Sequence, residues 1–313
     1  MKYNTRLLAL FVLFTLLYQG CFIASYEPPS LPYEGSGTWL VNAEQALSLL
    51  KEGAILLDAR AEDDWKREHV QRAQWVTWQQ FSRPDAPDNG KLLADDKLLT
   101  EKIQALGIKS STPVLVVGDP IGGWGEDGRI SWMLRTLGHT KAYWVDGGSD
   151  AMKAAGANMT TGTFSPSKGD FVVKRVATWD IQKEEIKSLL TQNAFLGGKI
   201  SLIDTREQRE FEGSTPYGES RGGHVPGAIQ LHYKELLAAN GQLLQKETLL
   251  DLLKTKGLEP DKPVIAYCTG GIRSGWFVTV LLDLGFKKVQ NYAGSMWEWA
   301  AASEKEYPLV STP

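Results

Sequence analysis

Short apolar runs alternate with longer amphipathic ones along most of this chain. "ILLDA" (55–59), "PVLVVG" (113–118) and "AYWV" (142–145) in the first half have counterparts in "SLID" (201–204), "PVIAYC" (263–268) and "VQNYA" (289–293) in the second. These runs lack a strict apolar–polar alternation, as expected of strands covered on both faces. "AEQALSLLKEG" (43–53) and "KEEIKSLLTQN" (183–193) place apolar residues at helical spacing, and "GWFVTVLLDLGF" (275–286) reads as a buried helix stopped by Gly285. Strands alternating with helices predict an α/β fold: mainly parallel sheets with helices on both faces.

The two halves repeat one pattern. "LLDAR" (56–60) returns as "LIDTR" (202–206), "EHVQRAQWV" (68–76) as "GHVPGAIQL" (223–231), "LGIKSSTPVLVVG" (106–118) as "KGLEPDKPVIAYC" (256–268), and "LRTLGHTKAYWVDGG" (134–148) as "LLDLGFKKVQNYAGS" (281–295). The offsets are 146, 155, 150 and 147 residues, in preserved order. That period is far longer than a solenoid repeat and marks domain duplication. The copies are expected over 36–157 and 173–313. A Thr-, Ser- and Gly-rich stretch lies between them and predicts a linker over 158–172.

Composition changes this picture little. The 313 residues are 42% hydrophobic and 23% charged, with a formal net charge of -3 and the signs interspersed. Without a basic stripe, neither nucleic acid nor an anionic membrane surface is an expected partner. The start of the chain matters more. Lys2 and Arg6 precede an apolar run from Leu7 to Leu17, too short to span a bilayer and suited to a signal-peptide core. Residues 1–25 are expected to be a signal peptide or a lipoprotein signal. Cys21, preceded by Gly20, is the candidate lipid anchor, and the periplasm or cell envelope is the expected location.

The only other cysteine is Cys268. An unpaired cysteine in an oxidising compartment calls for a task or deep burial. It sits at the end of an apolar strand, before Gly270, Gly271 and a helix expected to begin near Arg273 or Ser274. A strand, a tight turn and a helix N-terminus gather backbone N–H groups around one point, which favours thiolate over thiol. Arg273 is expected to add positive charge there. A buried structural cysteine is the alternative.

The second copy resembles the rhodanese sulfurtransferases, through "LIDTREQREFEG", "GGHVPGAIQL", "KPVIAYCTGGIRSGW" and "VQNYAGSMWEW" in order. The resemblance implies two tandem rhodanese-like domains. The first lacks the nucleophile, since Gly118 stands where Cys268 stands. It also implies a sulfurtransferase in which Cys268 takes sulfane sulfur from a small anionic donor (thiosulfate, mercaptopyruvate or polysulfide). The sulfur is held as a persulfide and passed to a thiol or cyanide-like acceptor, or to a protein. No metal or organic cofactor is implied. Thr269, Gly270, Gly271, Ile272, Arg273 and Ser274 would form the binding loop. Asp204, Arg206 and His224 would support it, because Asp58, Arg60 and His69 mirror them in the silent copy. Related phosphatases carry a loop one residue longer than the Cys-x4-Arg found here. Phosphatase or arsenate chemistry and a persulfide relay module stand as alternatives. In one respect the chain departs from the two-domain enzymes. The arginine they often carry before the aromatic residue of "REFEG" is Glu210, with Arg209 one step earlier. This leaves Arg209, Arg221, Trp124 and Arg129 as candidate donor contacts. Trp297 and Trp299 are expected to pack the C-terminal helix.

Overall fold

The computed structural model describes residues 38–311, all within one compact unit. The predicted leader, with Cys21, lies outside the described residues. The first repeat contains β1 (Leu40–Val41), α1 (Ala43–Lys51), β2 (Ile55–Asp58), α2 (Glu62–Arg67), β3 (His69–Val70), β4 (Gln74–Trp75), α3 (Asp96–Ala105), β5 (Val114–Val117), α4 (Glu126–Thr136), β6 (Ala142–Val145), α5 (Gly148–Ala154) and β7 (Met159–Thr160). The second contains α6 (Lys183–Thr191), β8 (Ser201–Asp204), α7 (Gln208–Phe211), β9 (Ala228–Gln230), α8 (Lys246–Thr255), β10 (Val264–Tyr267), α9 (Ile272–Asp283), β11 (Val289–Asn291) and α10 (Ser295–Ala301).

Local chemistry sets these boundaries. Asn42 opens α1 with a reciprocal cap: its side chain accepts from the Gln45 N–H at 2.8 Å, while Gln45 Oε1 accepts from the Asn42 N–H at 2.9 Å. Gly285, at φ 96°, follows the C-cap of α9, as its place at the end of the apolar helical run predicts. That helix begins at Ile272, slightly ahead of its sequence-predicted start.

The first sheet has the order β1-β6-β5-β2-β4 and the second β11-β10-β8-β9, with every neighbouring pair in both parallel. The α/β reading therefore holds for both copies. In the second sheet, a single parallel bridge from Asp180 to Asn291 extends the edge beside β11. Asp58 pairs with Val117 and Asp204 with Tyr267, so the paired strands end level, and Gly118 and Cys268 follow at once. Both loops open at the carboxyl ends of parallel strands, where such sheets bind ligands.

The two copies share one apolar core. Ile130 and Trp132 of α4 and Trp144 of β6 join Trp276, Phe277 and Leu281 of α9 in a single cluster. The helices meet so closely that a Cβ on Gly128 would lie 2.5 Å from Trp276 Cδ1, so only hydrogen fits there. At the far end of α9, Asp283 Oδ1 accepts from the N–H groups of Thr38, Trp39 and Leu40 at 3.2, 2.8 and 3.3 Å. The second copy thereby receives backbone donors at the start of the first copy's sheet. The stretch predicted as a linker is docked on the first copy. β7 pairs antiparallel with β3, the Gly169 N–H donates to Gln104 O at 2.8 Å, and Phe171 is buried. Its apolar contacts are too sparse to produce a periodic signal.

The silent loop keeps the shape of its counterpart with different chemistry. Gly125 precedes α4 at φ 81°, as Gly271 precedes α9 at φ 79°. Asp127 occupies the position equivalent to Arg273. A Cβ on Gly118 would lie 2.7 Å from the Asp127 carboxyl, so this carboxyl leaves no room for a cysteine side chain. Burial pushes Asp127 up to about 7; the Gly128 N–H opposes this, and the charges of Glu126 and Asp146 add to it. The folded chain thus holds a proton that the unfolded chain releases at about pH 4. This contribution to stability is full below that pH and is lost as pH rises through about 7. The expected result is that D127N is less sensitive than the unsubstituted protein between those limits, read as melting temperature against pH.

Candidate active site

Cys268 leaves β10 and is 1% exposed. The turn after it needs a left-handed residue at Gly271, and a side chain there would also collide with Ala293 O at 2.6 Å. The Gly271 N–H donates to Cys268 Sγ at 3.1 Å. The Gly271 carbonyl is held by two donors, Asn291 Nδ2 at 3.1 Å and Arg129 Nη1 at 3.0 Å. Ser274 Oγ donates to Asn291 Oδ1 at 2.7 Å. The Cys268 N–H donates to Ser295 Oγ at 3.1 Å, and that hydroxyl donates to Tyr292 O at 2.6 Å. Burial alone would push the thiol up. The Arg273 charge, the Ser274 N–H and the Gly270 N–H outweigh it and hold the thiol below its ordinary range.

Arg273 is not a free charge. Its guanidinium forks onto Glu210, Nη1 to Oε2 at 2.7 Å and Nη2 to Oε1 at 2.8 Å, with both side chains buried. Nη2 also donates to Thr269 Oγ1 at 2.7 Å. The Thr269 hydroxyl lies 3.0 Å from Glu210 Oε1 and 3.1 Å from Glu219 Oε1, and its single proton serves one of them at a time. Burial pushes the Glu210 carboxyl up, but the hydrogen bonds and charge of Arg273 more than reverse this. Thr269 therefore acts through its hydroxyl in the ion pair. Ile272 contributes a buried side chain and the first turn of α9.

Four aromatic side chains, two from each copy, line this pair and the Gly270 turn beside it. Trp124 and Tyr217 meet edge-on at 4.7 Å, and the Arg273 guanidinium lies 5.7 and 5.5 Å from their ring centres. Trp297 stacks on Trp78 at 6.3 Å, and its indole N–H donates to Tyr217 O at 2.9 Å. A Cβ on Gly270 would lie 2.1 Å from the Trp297 ring. Trp297 is thus part of the mouth of the site. Trp299 packs the C-terminal helix as expected, buried against Tyr292 and Tyr307.

The other predicted residues have separate tasks. Arg206 forks onto Asp204, Nε to Oδ1 at 2.9 Å and Nη2 to Oδ2 at 2.7 Å, and reaches Gly223 O at 2.8 Å. Arg60 treats Asp58 and Glu68 O the same way in the silent copy. His224 stacks on Phe211 at 3.5 Å and bonds its carbonyl at 2.9 Å, as His69 does with Trp65 at 4.4 and 2.7 Å. These groups tie loops to strands.

Of the candidate donor contacts, three are already engaged. Arg129 is buried behind the loop, on Gly271 O and Gly90 O. Arg221 donates to the carbonyls of Trp299, Ala300, Ala302 and Tyr307. Arg209 pairs with Glu207 at 2.6 Å. Only Trp124 lies at the mouth without such an engagement. Sequence reasoning missed Glu219, Tyr217 and Trp78, and it met Glu210 only as an absent arginine. The available signal was an acid at 210 facing a loop that ends in arginine.

The chain matches the family model of the rhodanese-like domain twice, over residues 42–155 and 183–302. It is 28% identical over 247 residues to the thiosulfate sulfurtransferase of Pseudomonas aeruginosa, covering 78% of this chain and 87% of that protein. It is also 28% identical over 247 residues to the sulfur carrier protein TtuD of Thermus thermophilus, covering 74% and 82%. The crystal structure of the 3-mercaptopyruvate sulfurtransferase SseA from Escherichia coli superposes with a TM-score of 0.70 at 23% identity, covering 82% and 98%.

Two measurements follow. Alkylation of Cys268 should show its pH inflection below the ordinary thiol value of about 8.5. The double variant E210Q/R273M, which removes the pair without stranding either charge, should move that inflection upward. Replacing Asp204 by Asn leaves Arg206 buried without its counter-charge and should cost about 3–5 kcal/mol in urea unfolding. D58N should cost less, because the Arg60 side chain is 13% exposed.

Proposed function

Because the chain belongs to the rhodanese-like family and is related to several sulfurtransferases, we propose that it moves sulfane sulfur through a persulfide on Cys268. The Cys268 thiolate attacks the outer sulfur of a donor. The donor's bond to that sulfur breaks, and the leaving group departs with the electron pair. A thiol or cyanide-like acceptor then attacks the terminal sulfur of the persulfide, and the thiolate returns. This is covalent catalysis with ping-pong kinetics.

The observation that carries the reading is the Gly271 N–H aimed at Sγ from the N-terminus of α9, with Gly270 and Ser274 N–H groups stabilising the same charge. A terminal persulfide sulfur is an anion of the size such a turn can hold. Phosphoryl chemistry is disfavoured at the same place, because the Arg273 fork that would grip a phosphoryl group is bound to Glu210.

We also propose that the chain is exported, from Lys2, Arg6 and the apolar run from Leu7 to Leu17. Export predicts that N-terminal sequencing of envelope material finds the leader removed, or Cys21 bearing lipid.

Incubation with a sulfane donor should add one sulfur atom to Cys268 by intact mass, and cyanide should remove it as thiocyanate. C268S should do neither. A thiol that no donor modifies would end the sulfur-transfer reading.

A further inference from the structure

The charge around the candidate nucleophile is arranged against small dianions. Arg273 lies beside the thiolate and is neutralised by the Glu210 fork, and Glu219 adds a second carboxylate through Thr269. The other nearby cations are tied to fixed partners, Arg129 and Lys234 by neutral carbonyls that leave their charge in place. Arg129 sits behind the loop on two backbone carbonyls, with Asp180 nearby. Lys234 Nζ donates to Ile121 O at 2.6 Å, and Arg209 pairs with Glu207. Burial, and then the Arg273 charge, hold His232 below its ordinary range, so it adds little positive charge at neutral pH. At the entrance stand Trp124, Tyr217 and Trp297, whose ring faces carry negative electrostatic potential and suit apolar or cationic groups. A donor with a doubly charged head would have to place that head among carboxylates and π faces.

We propose that the Glu210–Arg273 pair is a specificity device that disfavours dianionic donors such as thiosulfate and leaves the site to organic persulfides whose apolar or aromatic stem lies against Trp124, Tyr217 and Trp297. This rests on the sulfur-transfer reading above. The step balances as Cys268-S⁻ + R–S–SH → Cys268-S–SH + R–S⁻. The Cys268 sulfur bonds to the outer sulfur, the R–S–S bond breaks, and the proton stays on the transferred sulfur. The carrier leaves as its thiolate. Glu210 acts through Arg273 and is a positioning residue.

The probes are thiosulfate and benzyl persulfide generated in solution. Persulfidation of Cys268 in the full chain is timed by rapid quench and mass. Benzyl persulfide should react at least about tenfold faster at low salt, and the thiosulfate rate constant should rise with added potassium chloride, as between like charges. In E210Q the thiosulfate-to-benzyl-persulfide ratio of rate constants should rise about tenfold, as one opposing charge is removed from the path of a dianion. E210D should restore the ratio. W124L should shift the ratio toward thiosulfate through a higher KM for benzyl persulfide.

A thiosulfate rate that falls with salt, or a ratio that E210Q leaves in place, overturns the proposal while sulfur transfer stands. If E210Q does not fold, the salt response of the unsubstituted protein and the W124L ratio still decide. Failure of every donor to modify Cys268 overturns both readings together.

Discussion

The crossing of α4 and α9 is the constraint on which the site depends. Each helix starts at the carboxyl end of its own sheet, and the two pack over one shared apolar cluster. Gly128 lets Trp276 seat against α4, and that contact brings Arg129 under the loop that holds Cys268. Arg129 then donates to Gly271 O from one copy's helix and to Gly90 O from the same copy's long loop. Burial lowers this guanidinium to about 10, with Asp180 and the thiolate pulling the other way, and it remains charged at neutral pH. A buried cation shared between the copies makes the silent one a structural part of the site. Severing the crossing would take Gly271 O from Arg129 and leave it only Gly90 O, the acceptor in its own copy.

Duplication has separated shape from chemistry. Both copies keep the parallel strands, the left-handed glycine before the helix, the Asp–Arg fork and the stacked histidine. Only one keeps a thiol. In the other, Gly118 and Asp127 fill the same volume with a carboxyl. The silent loop is four residues longer, counted from Gly118 to Gly125 against Cys268 to Gly271, and its added length reaches across to the second copy. Tyr233 Oη donates to Gly123 O at 2.8 Å, Lys234 reaches Ile121 O, and Trp124 stands over Arg273. The loop that lost its nucleophile forms one wall of the entrance to the loop that kept it.

Much of this was legible in the sequence, because the signals are local or repeated. Strand ends, the helix after Cys268 and the fork between Asp204 and Arg206 all follow from residues close together in the chain, and each had a second copy to check against. What was not legible joins residues far apart. Glu210 and Arg273 are 63 positions apart, and Arg129 and Gly271 are 142 apart. No periodicity marks such pairs. Glu210 registered only as a missing arginine, although an acid and a lost arginine have opposite consequences for a neighbouring guanidinium. Trp297 and Trp299 show the limit in miniature. They are two residues apart with the same side chain, yet one is buried in the second core and the other faces Trp78 across the copies.

The state of the thiol is a balance between burial and charge, and Arg273 supplies the largest opposing contribution. Enclosing Cys268 favours the neutral form; the Arg273 charge and the surrounding N–H groups favour the ionised one, and the second set prevails. Adding cations would have strengthened that outcome, but it would also have drawn any small anion to the thiolate. The Glu210 fork instead holds Arg273 close to the sulfur while cancelling its charge at longer range, since a paired dipole fades with distance faster than a lone charge. Sγ is served by amide groups within about a hydrogen bond's length, which act only on what touches them. The sulfur is therefore stabilised mainly by groups close to it. If the pair turns dianions away as proposed, selection passes to contact with Trp124, Tyr217 and Trp297.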